Sequence, residues 1–283
     1  MMATRRRELI LLIFIHGVVD VVLADSSITD LSEIDGTATD EQKLLYHLLR
    51  QYEKAVRPVR NASHTVTVKL GMTMTNIFEM DEKNQVLTIN VWLDQEWKDE
   101  LLRWDPKEFG GIQSIRIPCD LIWLPDIVLY NNADDYTAGY MRSRAMVFYD
   151  GTVFWPPPTQ LRSTCKIDVT YFPFDSQHCA LKFGSWTYHG FQVDITNRSD
   201  NVDLSNYVVS GEFDLVRVHQ KRRVVKYTCC PEPYPDVTFF IHIRRKVFNY
   251  IFILSLQPFL VHALNVTLHH FFINRHFPYN LES

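Results

Sequence analysis

The sequence predicts an all-β fold, a β-sandwich that follows a single N-terminal helix. From about Thr65 onward, apolar residues alternate with polar ones, which is the period of a strand with one buried face. The clearest run alternates Leu87, Ile89, Val91 and Leu93 with Thr88, Asn90 and Trp92. Turn-forming pieces such as Asp105-Pro106 and Pro156-Pro157-Pro158 separate these runs. Many short strands without interleaved helices are typical of a sandwich.

One helix precedes the strands. Thr39 or Asp40 can cap its N-terminus, and Glu41 favours its first turn. We expect Pro58 to end it. Its apolar residues fall at helical spacing, at Leu44, Leu45, Leu48, Leu49 and Tyr52.

The N-terminus predicts an export signal over residues 1–24. A basic stretch at Arg5–Arg7 precedes an apolar run from Leu9 to Leu23, and Val22–Ala24 has the small-residue pattern of a cleavage site. The alternative is a membrane anchor, but the run is short and lacks a stop-transfer flank. We therefore expect the chain to enter the secretory pathway.

The composition changes at Arg244-Arg245-Lys246. Residues 247–264 contain no Asp, Glu, Lys or Arg, but they include Gln257 and Pro258 and make a mediocre membrane span. We interpret residues 25–246 as one globular domain, 247–264 as a partial transmembrane helix and 265–283 as a divergent tail.

Overall charge excludes one class of partner. The formal net charge is −4 with 22% charged residues, and no basic face suggests nucleic acid. Export predicts glycosylation at two Asn-x-Ser/Thr sites, Asn61 and Asn197. A third site, Asn265, lies beside the candidate span.

Two adjacent cysteines, Cys229 and Cys230, are the strongest single feature. In an oxidising compartment they tend to bond to each other, although a bridge between neighbours distorts the backbone. Such strain persists where function needs it. The alternatives are two separate bridges or a metal site, but no His or Cys lies nearby at zinc spacing, so we expect no metal and no cofactor.

A second cysteine pair, Cys165 and Cys179, encloses an aromatic-proline-aromatic tip, Phe172-Pro173-Phe174. A bridge here would close a loop around that tip, in which Pro173 could be cis. Cys119 is then left over, and we interpret it as a buried, inert thiol.

Aromatic residues recur in separate segments of the chain. Each alone predicts core packing, yet together they could line a box for a quaternary ammonium ion, at about 0.5–2 kcal/mol for each cation–π contact. Spacing alone does not bring them together. They are Trp97, Tyr130, Trp186, Tyr188, Tyr227 and Tyr234.

These residues resemble the nicotinic acetylcholine-receptor family of Cys-loop ligand-gated channels over about residues 38–250. The adjacent cysteines resemble the alpha kind of subunit, which supplies the principal face of the agonist site. The matching motifs are Trp123-Leu124-Pro125-Asp126, Phe172-Pro173-Phe174-Asp175 within the loop from Cys165 to Cys179, Phe183-Gly184-Ser185-Trp186, and Tyr227-Thr228-Cys229-Cys230-Pro231-Glu232-Pro233-Tyr234-Pro235-Asp236.

The resemblance implies an immunoglobulin-like ligand-binding sandwich of about ten strands, with an N-terminal helix and a short helical C-terminal segment that is a candidate for membrane insertion. It implies a cationic agonist, acetylcholine or choline, bound between subunits of a homo- or hetero-pentamer. The principal-face residues are Tyr130, Trp186, Tyr188, Tyr227, Cys229, Cys230 and Tyr234, and the complementary-face residues are Trp97, Met146 and Phe154.

The resemblance also implies how binding reaches the membrane. Lys182, Asp236 and Tyr227 match a cluster that rearranges when agonist binds. The change then travels through a junction formed by Glu82, Arg245 and the loop tip at Phe172, Pro173 and Phe174, where Glu82 pairs with Arg245.

Four functions compete at this stage. The leading one is the agonist-binding domain of a cation-channel subunit in a postsynaptic cell membrane. The runner-up is a secreted binding protein, or a truncated partner of full-length subunits, since no pore helices match. An adhesion sandwich is a third. An enzyme is disfavoured because no nucleophile elbow and no His-x-x-x-His pair occurs.

Overall fold

A computed structural model describes residues 38–134, 140–228, 230–247 and 258–269. The predicted export signal at residues 1–24 lies outside the described residues, as does most of the predicted span and tail. Residues 258–269 are helical. Within the described ranges, no helix is both long enough and apolar enough to cross a bilayer.

The predicted N-terminal helix is confirmed as α1 (Asp40–Leu49). Thr39 caps it with a capping box, because its side chain accepts from the Gln42 backbone while the Gln42 side chain accepts from the Thr39 backbone N–H. Leu44 and Leu48 are its buried residues. The helix ends at Leu49, nine residues before Pro58, so the expectation that this proline ends it is wrong.

The alternating pattern forms eleven strands among the described residues, close to the expected ten. They are β1 (Val66–Asp81), β2 (Val86–Lys98), β3 (Ser114–Pro118), β4 (Ile127–Leu129), β5 (Arg144–Phe148), β6 (Thr152–Trp155), β7 (Pro158–Thr164), β8 (Ser176–Ser185), β9 (Val193–Asn197), β10 (Phe213–Lys226) and β11 (Pro233–Arg245).

The strands form two sheets, which confirms the predicted sandwich. The larger has the order β3-β5-β6-β2-β1-β9, and β7 also pairs with β2. The smaller has the order β10-β11-β8-β4. Among the described strands, β1 and β9 are the one parallel pair. Buried side chains of both sheets form one continuous core.

A disulfide connects the two sheets. Cys165 lies directly after β7 of the larger sheet and is bonded to Cys179 in β8 of the smaller sheet, as predicted. The Phe172–Pro173 peptide bond inside this loop is cis. Cys119 is free and buried, and burial raises the pKa of its thiol. Its inertness stays a prediction.

Candidate ligand-binding site

One carboxylate organises the turn that follows β8. Asp126 lies just before β4 and accepts hydrogen bonds from the Ser185 hydroxyl at 2.5 Å and from the Thr187 backbone N–H at 2.8 Å. The backbone N–H of Trp186 donates to the Asp126 carbonyl at 3.2 Å. Asp126 therefore fixes both neighbours of Trp186 and leaves its indole outside the core, 69% exposed.

Tyr130 packs beside that indole. The ring centroids of Tyr130 and Trp186 are 6.3 Å apart, edge to face. The Tyr130 hydroxyl donates to the Ser185 carbonyl at 2.7 Å. Gly184 makes room for this contact, because a Cβ there would lie 2.3 Å from the Tyr130 hydroxyl. The two aromatic residues thus keep a fixed relation.

The hairpin between β10 and β11 brings two more phenols. The rings of Tyr227 and Tyr234 lie 5.5 Å apart, edge to face. Burial, followed by the nearby groups Tyr227, Asp236, Asp126 and Tyr234, raises the pKa of Tyr130 to about 12. The hairpin phenols therefore lie within electrostatic reach of Tyr130, and its hydroxyl stays protonated at neutral pH.

The tip of the hairpin is described in part. Cys230 is disulfide-bonded, and its backbone N–H donates to the Tyr227 carbonyl at 3.3 Å. Cys229 lies outside the described residues. The adjacent bridge between them stays a prediction.

A lysine lies beside this cluster. Lys182 Nζ is 3.1 Å from Asp236 Oδ2, whose side chain is 3% exposed, and 5.3 Å from the centroid of the Tyr130 ring. Thr238 also donates to Asp236, at 3.1 Å. A positive charge therefore lies near one aromatic member of the cluster, paired with the buried carboxylate of Asp236.

Tyr188 faces a different region. Its backbone N–H donates to the Ser185 hydroxyl at 3.0 Å, and its ring packs against the core. It also lines a surface groove with residues 55–62. The structure thus brings together Tyr130, Trp186, Tyr227 and Tyr234, whereas the ring of Tyr188 packs against the core.

The assignment of Trp97 to the complementary face is wrong. Its side chain is 2% exposed and packs edge to face on Trp123, with ring centroids 6.0 Å apart. A side chain inside the core cannot line a surface shared with another subunit. Trp92 on the same strand is 41% exposed and points outward. The alternation that predicted β2 already contained this signal, because it groups Trp92 with Thr88 and Asn90.

Met146 and Phe154 do lie on the outward side of the larger sheet. Both are half-buried, and they are directly opposite each other in the β5–β6 register. Phe154 is also opposite Glu96 of β2. They share this face with Trp92, which precedes Glu96 by four residues on the same strand.

The predicted pair of Glu82 and Arg245 forms, at 2.8 Å. Sequence reasoning missed its third member, Asp175, whose two carboxylate oxygens lie 2.8 Å and 3.1 Å from the guanidinium. The Arg245 side chain is fully buried, and its Cζ lies 5.1 Å from the centroid of the Phe172 ring. Phe172 and Phe174 at the loop tip are exposed.

A two-sheet sandwich with a disulfide-closed loop and an exposed aromatic cluster defines the class, a ligand-binding domain rather than an enzyme. Residues 41–247 match the neurotransmitter-gated ion-channel ligand binding domain. The chain belongs to this family, and it is the ligand-binding extracellular domain of a subunit similar to those of nicotinic acetylcholine receptors.

Similar curated proteins support this membership. The chain is 46% identical over 226 residues to neuronal acetylcholine receptor subunit alpha-2 of Mus musculus, covering 80% of this chain and 44% of the relative. It is 43% identical over 246 residues to subunit alpha-4 of Gallus gallus, covering 87% and 40%. It is 45% identical over 222 residues to subunit alpha-10 of Homo sapiens, covering 78% and 49%. The chain therefore spans less than half the length of these relatives.

Proposed function

We propose that this chain supplies the principal face of a site for a small quaternary ammonium agonist, acetylcholine or choline, in a subunit of a ligand-gated cation channel. The observation that carries the proposal is the exposed indole of Trp186 held edge to face on Tyr130, with the phenols of Tyr227 and Tyr234 on the adjacent hairpin. Since Lys182 already pairs with the Asp236 carboxylate beside these rings, their exposed faces favour a cation that binds without donating hydrogen bonds.

The remaining predicted groups have defined parts in this proposal. Tyr188 borders the site, and the bridge between Cys229 and Cys230 stiffens the hairpin that closes over the agonist. A second subunit contributes the complementary face in a pentamer, where Trp92 replaces Trp97 beside Met146 and Phe154. The mature chain is exported to a postsynaptic cell surface and glycosylated at Asn61 and Asn197, both of which are exposed.

Agonist binding shifts a two-state equilibrium in this proposal. A cation under the hairpin competes with Lys182 for the Tyr130 ring and so changes the ion pair with Asp236. Because β11 runs without interruption from Pro233 to Arg245, a change at Asp236 reaches the cluster of Glu82, Asp175 and Arg245 along one strand. The agonist shifts the population only as far as it prefers one arrangement.

The test compares acetylcholine with 3,3-dimethylbutyl acetate, its neutral isostere. We expect the expressed chain to bind the cation at least tenfold more tightly, since two or more cation–π contacts contribute about 0.5–2 kcal/mol each. Trp186→Ala should remove this preference. Phe78→Ala is the matched control, because Phe78 is equally exposed on β1 and belongs to no part of the cluster. Equal affinity for the two ligands contradicts the proposal.

A further inference from the structure

The outward face of the larger sheet carries its own cation on an aromatic ring. Arg198 Cζ lies 4.6 Å from the centroid of the Phe154 ring, within the roughly 6 Å range of a cation–π contact. Arg198 follows β9, and its side chain passes over β1 at Gly71, where an added Cβ would lie 3.4 Å from two of its carbon atoms. The added Cβ would also lie 3.3 Å from Asp94 Cβ, so glycine here lets Asp94 and Arg198 pack closely over β1.

Two carboxylates fix the guanidinium in place. Arg198 Nη1 is 3.0 Å from Asp94 Oδ2, and Arg198 Nε is 3.3 Å from Glu96 Oε2. Burial opposes ionisation of Glu96, but hydrogen bonds from Lys69 and Arg198 outweigh it and hold the pKa of Glu96 below its ordinary value. Glu96 is thus an anion at neutral pH. The guanidinium is held at two points while it covers the ring.

We propose that Arg198 occupies the position on Phe154 that the ammonium group of an agonist would need if this face served as a complementary face. The proposal rests on the proposed function, because it takes Met146 and Phe154 as complementary-face residues. The chain is then fitted to supply the principal face and poorly fitted to supply the complementary one. Its agonist-binding sites form with a different subunit of the family as the complementary partner. In that partner, no cationic side chain covers the position that corresponds to Phe154.

Arg198 should hinder an incoming cation mainly by covering the Phe154 ring, and only weakly by long-range charge repulsion. Arg198 and Lys69 carry two positive charges, and Asp94 and Glu96 supply at most two negative ones, because burial raises the pKa of Asp94. The cluster is therefore close to neutral and repels a distant cation little. Removing Arg198 alone both opens the ring and leaves an unbalanced carboxylate beside it, and each change favours an incoming cation.

The first experiment does not depend on assembly. The full chain carries Met146→Cys, which places a thiol directly opposite Phe154. The measurement compares how fast this thiol reacts with a methanethiosulfonate reagent that bears a trimethylammonium group and with a neutral one. We expect Arg198→Gln to raise the ratio of cationic to neutral rates about tenfold. Adding Phe154→Leu to that variant should remove most of the rise in the rate ratio. This double variant distinguishes the contribution of the aromatic ring from that of the carboxylates.

The matched control is Arg222→Gln. Arg222 is also salt-bridged, to Asp194 at 2.6 Å, and it donates to the Ile195 carbonyl at 2.7 Å. The substitution removes the same charge on β10 of the other sheet, so it should leave the rate ratio unchanged. An unchanged ratio in Arg198→Gln, or an equal rise in Arg222→Gln, overturns the proposal.

The second experiment measures acetylcholine affinity of the chain expressed without other subunits. Arg198→Gln should bind about tenfold more tightly than the unmodified chain, and Trp186→Ala should abolish binding in both. Affinities of Arg198→Gln and the unmodified chain that are both measurable and equal contradict the proposal. A raised rate ratio in the first experiment with no acetylcholine binding here supports the role of Arg198 and contradicts the proposed function, so the two failures are distinguishable.

Discussion

The hydroxyl of Tyr52 donates a 2.7 Å hydrogen bond to the carboxylate of Asp99, which lies 47 residues further along the chain. The same hydroxyl accepts from the Trp123 backbone N–H at 3.1 Å. The other carboxylate oxygen accepts from the backbone N–H groups of Leu101 and Leu102. This buried network connects the segment after α1 to the end of β2 and to the loop before β4.

Removing the Tyr52 hydroxyl should destabilise the fold. Tyr52→Phe leaves a buried carboxylate and a backbone N–H each without one partner, at a cost of about 1–3 kcal/mol in the free energy of unfolding at pH 7. Burial raises the pKa of Asp99, so ionising this acid is less favourable in the folded chain than in the unfolded one. The cost should therefore shrink as the pH falls below the folded pKa of Asp99, where the acid needs fewer donors.

Urea unfolding at several pH values measures this cost. Tyr149→Phe is the control, because Tyr149 is exposed and its hydroxyl is absent from the network. A cost in Tyr52→Phe no greater than in the control would show that water replaces the lost hydroxyl.

The Arg245 cluster should make stability depend on acid. Hydrogen bonds from Arg245 and Gln177 outweigh the effect of burial and lower the pKa of Asp175 from the usual 3.8. A lowered folded pKa stabilises the fold above the unfolded value, and this stabilisation is lost as the pH falls through the folded one. Arg245→Gln should lower the free energy of unfolding by about 3–5 kcal/mol at pH 7, because it leaves Asp175 unpaired. The variant should also lose less stability than the unmodified chain as the pH falls below about pH 4.

Lys246→Gln is the companion variant for that measurement. Lys246 lies 3.5 Å from Asp214 in a half-exposed pair, so its removal should cost about 0–1 kcal/mol. Chemical denaturation between pH 3 and pH 7, conditions chosen around the usual carboxyl pKa, gives both numbers. Similar costs for the two variants would refute a structural role for the buried cluster.

The two tryptophans of β2 should behave in opposite ways. Trp97→Ala should destabilise the fold by about 3–5 kcal/mol, because it empties a core site, and Trp92→Ala should cost less than about 1 kcal/mol. Thermal unfolding checks both. In an assembled receptor, Trp92→Ala should still weaken agonist binding where this face takes part, and agonist competition measures that effect. A large loss of stability in Trp92→Ala would contradict its outward position.

A methyl group at position 184 should disturb the site without disturbing the fold. The added Cβ of Gly184→Ala would lie 2.3 Å from the Tyr130 hydroxyl, so the ring must turn away from the Ser185 carbonyl. We expect about a tenfold loss of acetylcholine affinity from the lost ring contact, with a change in thermal stability of a few degrees at most. Unchanged affinity would indicate that Tyr130 does not face the agonist.

Local rules predicted much of the fold because each uses residues close together in the chain. The capping box at Thr39 and the period-two pattern of β2 are both of this kind. The same pattern also predicts the outward direction of Trp92, whereas the family resemblance assigns Trp97 to the complementary face. The residue count along a strand predicts the direction of a side chain more reliably here. Two side chains whose residue numbers differ by an odd number, such as Trp92 and Trp97, point to opposite faces of the sheet.

Contacts between distant segments were beyond prediction from the sequence. The parallel pairing of β1 with β9 brings Arg198 over Gly71, and no local signal in the sequence marks that arrangement. Asp126 belongs to a motif quoted above, yet nothing in the sequence shows that it orients the turn that carries Trp186. In both cases a charged side chain acts on a residue that only the folded topology makes its neighbour.

The uninterrupted strand from Pro233 to Arg245 also constrains how this protein can change its sequence. Hydrogen-bonded neighbours hold it on both sides over about 40 Å, and its pairing with β10 takes up an extra residue at one point, between Leu215 and Arg217. A single residue inserted midway along β11 without a bulge would move every later side chain to the opposite face of the sheet. Either the end near Tyr234 or the end near Arg245 would then point to the wrong face. Insertions and deletions among related chains should therefore be confined to the tip of the β10–β11 hairpin, where an added residue changes only the hairpin tip.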